Sequence, residues 1–176
     1  MTNRIDMKFE MLAHAGRIAL VPFITVGYPD IDTSEKLSSV LLESGADILE
    51  LGIPFSDPLA EGKTIQKTSF HAIQQGVTIS RSLELLKKLR VRNSNEPIIF
   101  MGYLNPFLNY GLDKFSIDAA TAGLDGVIVP DLPSEESGTF AKLLEKNGLY
   151  LIPLIAPTSS DRRIEQACAK AGGFIY

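Results

Sequence analysis

The chain has 176 residues, 45% of them apolar and 22% charged, with a formal net charge of −4; this balance suits one soluble globular domain over residues 1–176 and excludes a disordered or fibrous chain. The acidic balance speaks against nucleic acid or an anionic membrane as the default partner. Cys168 is the only cysteine, so an internal disulfide is excluded and a reducing compartment is expected.

In chain order, a leading helix is expected over about residues 3 to 15, placed to plug one end of a barrel. Residues 18 to 25 read as the first strand, and the near-continuous apolar run IALVPFITV predicts cover on both faces. The longest apolar stretch, residues 18 to 24, contains Pro22 and is too short for a bilayer core of about 30 Å. The N-terminus shows no continuous apolar leader, so the chain is expected in the cytoplasm or an organelle of bacterial descent such as the plastid stroma. A helix over 32 to 44, closed by Gly45, leads to a second strand over 46 to 52.

That second strand carries Glu50 between Leu49 and Leu51. Burying an ionised carboxylate costs several kcal/mol unless it is paired or its pKa shifts. Glu50 is therefore the first candidate catalytic residue, with a hidden ion pair to Arg or Lys as the alternative. The following loop is punctuated by Gly52, Pro54, Pro58 and Gly62 and carries Ser56, Asp57 and Glu61, so two acidic groups can face one cavity.

Helices are expected next over 63 to 75 and 79 to 91, the second signalled by Ser80 before RSLELLKKL and ending in Lys87, Lys88, Arg90 and Arg92, cations that suit a solvated helix end. A third strand over 97 to 102 runs into Tyr103 and a loop, Asn105 to Asn109, before a helix over 111 to 122. The fourth strand, 124 to 130, ends at Pro130 and Asp131; a helix over 134 to 146 starts at Ser134 and stops before Gly148. A fifth strand over 149 to 155, a helix over 159 to 171 and a sixth strand over 173 to 176 complete the chain. Cys168, between Ala167 and Ala169, reads as a small buried residue, and His14 and His71 lie too far apart to suggest a metal site.

Strands alternating with helices imply βα units around a parallel sheet. A closed (β/α)8 TIM barrel needs eight strands and about 250 residues, so the expectation is the first five and a half units of such a barrel, with an open six-stranded sheet as the alternative. Active sites of these barrels lie at the C-terminal ends of the strands. Here those ends offer Phe23, Thr25, Glu50, Gly52, Met101, Tyr103, Pro130 and Asp131.

The run ILELGIPFSDPLAEGKTIQ at 48–66 resembles the signature segment of the tryptophan synthase alpha subunit, the indole-3-glycerol-phosphate lyase family. The resemblance extends to VPFITVGYPD at 21–30, MGYLNPFLNYG at 101–111, GVIVPDLPSEES at 126–137 and LIAPTSSDRR at 154–163. It implies cleavage of indole-3-glycerol phosphate to indole and glyceraldehyde 3-phosphate. Glu50 matches the family's glutamate for proton transfer at the indole C3 and the neighbouring hydroxyl. Glu61 stands where the family normally has aspartate, DPLAEG instead of DPLADG, and would accept the N1 proton with one methylene more reach; Lys63 stands where the family often has proline. Phe23 and Tyr103 would enclose the indole.

By the same resemblance, Asp57, Asn105, Asn109 and Asp131 match positions that meet the beta subunit in an alpha2-beta2 heterotetramer, although Asn and Asp also suit ordinary turns. The chain is expected to hold no cofactor and no metal, pyridoxal phosphate belonging to the beta subunit. Phosphate recognition would come from loops after strands seven and eight, so residues 1–176 alone are expected to turn over little. The readings that stand are a lyase, a non-catalytic module that docks on and activates the beta subunit, and a different aldolase-like barrel, which would lack the GIPFSDPLAEG run.

Overall fold

Five parallel strands, β1 (Phe23–Thr25), β2 (Leu49–Gly52), β3 (Ile98–Met101), β4 (Gly126–Ile128) and β5 (Tyr150–Ile152), lie side by side in chain order in the computed structural model, which describes residues 3–92 and 95–176. Parallel neighbours require a crossover after each strand. Helices supply it: α2 (Ile31–Glu43) after β1, α3 (Lys63–Gln74) and α4 (Ile79–Arg92) after β2, α5 (Leu104–Tyr110) and α6 (Leu112–Ala122) after β3, and α7 (Gly138–Lys146) after β4. Helix α1 (Arg4–His14) precedes the sheet and α8 (Asp161–Lys170) follows β5. This is the order expected of the first units of a (β/α)8 barrel.

The period of two along each strand divides the apolar side chains between two faces. Leu49, Leu51, Ile98, Phe100 and Val127 pack outward against Leu83, Leu86, Leu89, Phe115 and Phe140 of the helices. Ile48, Ile99, Ile128 and Ile152 point to the other face, where Ile5 of α1 covers them. Asn3 fixes that helix: its side-chain oxygen accepts the Ile5 N–H at 2.9 Å, and its amide donates to the carbonyls of Asp125 and Gly148 at 2.9 and 3.0 Å. Arg4 pairs with the Asp125 carboxylate at 2.9 Å, and Arg90 pairs with the same group. The leading helix thus plugs the N-terminal ends of the strands and leaves the other ends for chemistry.

Several local expectations need correction. Residues 18 and 20 fall before β1 and are not covered, Ile18 being 92% and Leu20 60% exposed, next to an edge strand paired only to β2. Residues 105–109 belong to helix α5 instead of a loop; Pro106 sits in its first turn, where backbone N–H groups have no helical partner to lose. Helix α4 starts at Ile79, as expected, but its cap is Thr78 and not Ser80: the Thr78 hydroxyl accepts the Arg81 N–H at 3.4 Å. Ser134 opens a turn, and α7 begins only at Gly138. Residues 173–176 do not form a strand, although the Tyr176 N–H donates to Pro153 and its carbonyl accepts from Ile155. Cys168 is exposed; Ala167 is the buried residue of that turn.

Candidate active site

Glu50 sits in register with Phe23 on one side and Ile99 on the other, on the face that carries Ile48. It is 4% exposed, and among the described residues no hydrogen bond or ion pair reaches its carboxyl group. The hidden-cation alternative is thereby removed. Burial, reinforced by the nearby charge of Glu61, pushes the Glu50 carboxyl up to about 7.

A cavity of about 330 Å³ opens above this carboxyl, lined by Val21, Phe23, Glu50, Glu61, Ile65, Met101, Phe174, Ile175 and Tyr176. Apolar and aromatic walls with two convergent acids fit a flat, mostly apolar ligand. Phe23 reaches the wall because β2 has glycine beside it: a Cβ at Gly52 would lie 2.4 Å from the Phe23 Cζ atom. A narrower cleft continues past Thr25, Gly52 and Ser69 to Tyr103.

The loop between β2 and α3 delivers the second acid. Its start is held by Ser69, whose hydroxyl accepts the Phe55 N–H at 2.8 Å and donates to the Phe55 carbonyl at 3.0 Å. Its end is held where Gln66 of α3 donates to the Glu61 carbonyl at 2.9 Å. Burial raises the Glu61 carboxyl above its ordinary range. Both acids predicted from the sequence therefore face one cavity.

Tyr103 lies along the narrower cleft, which Phe23 and Glu61 also line. It is not in the wall of the larger cavity; its ring stacks on Phe55 with centroids 5.1 Å apart, and its hydroxyl accepts the Ala60 N–H at 2.7 Å. Burial raises the Tyr103 hydroxyl, with Glu61 and Asp131 adding to the effect.

Asp57, Asn105 and Asp131 line a separate groove of about 310 Å³, together with Phe55, Leu59, Ala60, Tyr103 and Pro130. Leu59 projects from it, 91% exposed. Asn109 is exposed on α5 but is not part of this groove. Asp131 has a structural task as well: its carboxylate accepts the Leu104 N–H at 2.9 Å, capping a helix whose own cap residue supplies no side-chain bond.

Ile65 and Tyr176 were missed as site residues. Ile65 was legible as the apolar residue in the first turn of the helix that follows Glu61. Tyr176 was not; tertiary contacts bring it to the cavity, where burial, Glu50 and Glu61 raise its hydroxyl. Among the described residues no group of three or more His, Cys, Asp or Glu could hold a metal ion, and no helix is long and apolar enough to cross a membrane.

Comparison with known proteins adds an independent line. The family model described as tryptophan synthase alpha chain matches residues 9–176. A tryptophan synthase alpha chain of Roseiflexus sp. is 47% identical over 174 residues, which cover 99% of this chain and 67% of the relative. One of Geobacter sulfurreducens is 47% identical, covering 99% of this chain and 66% of its own. The crystal structure of tryptophan synthase subunit alpha from Legionella pneumophila matches with a TM-score of 0.98 at 41% identity, covering 100% of this chain and 67% of that one. The chain spans about two thirds of the length of the relatives it matches.

Proposed function

Because the chain belongs to the tryptophan synthase alpha chain family, we propose that it serves as the carbon–carbon lyase of tryptophan biosynthesis, cleaving indole-3-glycerol phosphate to indole and glyceraldehyde 3-phosphate. One observation carries this reading: Glu50 and Glu61, both with raised pKa, line one apolar cavity. The reaction needs two proton shuttles on different edges of the ring. In the first step Glu50, protonated, gives a proton to the indole C3 while Glu61, ionised, takes the proton from N1. In the second, the glycerol hydroxyl gives its proton to Glu50, the carbon–carbon bond breaks, its electrons return to the ring, and N1 recovers its proton from Glu61. Both acids end as they began. A carboxyl with a pKa near 7 is populated in both forms at neutral pH, as a group that gives and then takes must be.

The chain holds no cofactor in this scheme; the groove of Asp57, Asn105 and Asp131, with Asn109 nearby on α5, is assigned to the pyridoxal-phosphate-dependent beta subunit of an alpha2-beta2 assembly. The lone cysteine suits a reducing cytoplasm, where we place this work. A docking module without chemistry is the second reading, favoured only by glutamate at position 61. Indole release by the whole protein, with and without the beta subunit, separates the two. Glu50→Gln is expected to lower kcat by at least about a hundredfold; a variant as active as the parent would remove the lyase reading.

A further inference from the structure

We infer that Tyr103 is a positioning residue: its hydroxyl holds the loop that carries Glu61, and so sets where that carboxyl group stands in the cavity. The inference rests on the lyase reading above and concerns the geometry of its second acid. Three consecutive N–H groups precede the Glu61 side chain. Leu59 donates to Asp57 at 2.9 Å and Glu61 donates to Pro58 at 3.0 Å, both within the loop, so these bonds travel with it. Ala60 alone donates outward, to the Tyr103 hydroxyl at 2.7 Å. Among the described residues it is the one hydrogen bond that ties residues 56–60 to the rest of the fold.

The tether is short and stiff at its anchored end. Tyr103 lies two residues past the end of β3, is 6% exposed, and has its ring fixed by the stack on Phe55. The residue after it is fixed too, because Asp131 accepts the Leu104 N–H. On the loop side, Ala60 is the immediate neighbour of Glu61, so a free Ala60 amide would let the peptide before Glu61 rotate. The longer reach of glutamate adds one torsion to what the loop must hold in place. A misplacement of about 1 Å at a catalytic group costs on the order of a hundredfold in rate.

The test is Tyr103→Phe in the whole protein. Phenylalanine keeps the ring for Phe55 and removes only the acceptor. The expected result is a fall in kcat of about tenfold or more, with KM changed less than about twofold, and faster hydrogen exchange at the Ala60 amide while the β2 and β3 amides stay protected. A merely structural role would spread across the β3 amides and would not divide kcat from KM. Unchanged kcat, or an Ala60 amide as protected as in the parent, overturns the inference. If the parent itself releases no indole, the lyase reading fails, and the tether is then judged on the Ala60 amide alone.

Discussion

Glu50 illustrates how one side chain sets a pH dependence. Its carboxyl moves from 4.5 to about 7 on folding because burial, then Glu61, disfavours the anion. Between those values the folded state binds more protons than the unfolded chain, so stability falls as pH rises. The contribution is fully present below pH 4.5 and is lost as pH climbs through about 7. The gap is worth ~3 kcal/mol. Glu50→Gln, which cannot ionise, is therefore expected to gain stability relative to the parent at pH 8 but not at pH 4.5, as read by urea unfolding. An equal difference at both pH values would mean that the carboxyl is solvated.

At the scale of elements, the site depends on β1 and β2 lying close enough for Phe23 to cross over Gly52. A methyl group at position 52 would sit 2.4 and 2.7 Å from two ring carbons of Phe23. Gly52→Ala is expected to destabilise by about 1–3 kcal/mol and to displace the ring from the cavity wall. Adding Phe23→Leu should recover part of the loss in thermal unfolding; no recovery would show that the strain lies elsewhere. The helix caps teach a related lesson. Gly45, Gly123 and Gly148 close their helices with φ of 102°, 89° and 76°, as glycine allows and other residues resist. Ser80 and Ser134 misled, because a serine near a helix start is a cap only where its backbone is extended, and Thr78 and the turn before Gly138 took those places.

Across the whole molecule, Asp125 joins elements far apart in sequence. It is 2% exposed and receives Arg4, Arg90 and the Ile98 N–H, while its carbonyl accepts from Asn3 and Tyr150. Replacing it with alanine removes the shared partner of two cations in a mostly buried setting, and should cost about 3 kcal/mol in chemical denaturation. A cost under about 1 kcal/mol would mean that the apolar face of α1 and the Asn3 hydrogen bonds hold that helix without the ion pairs. The succession of parallel strands, the acid on β2 and the acidic loop after it were determined by the sequence itself, because apolar periodicity and the energetic penalty on a buried carboxylate are local facts. That Glu50 meets no cation among the described residues, that Tyr103 bonds the loop at Ala60, and that Tyr176 joins the site were decided only by tertiary structure. Such contacts join residues tens of positions apart, and their distances follow from how strands and helices pack, which no local pattern encodes.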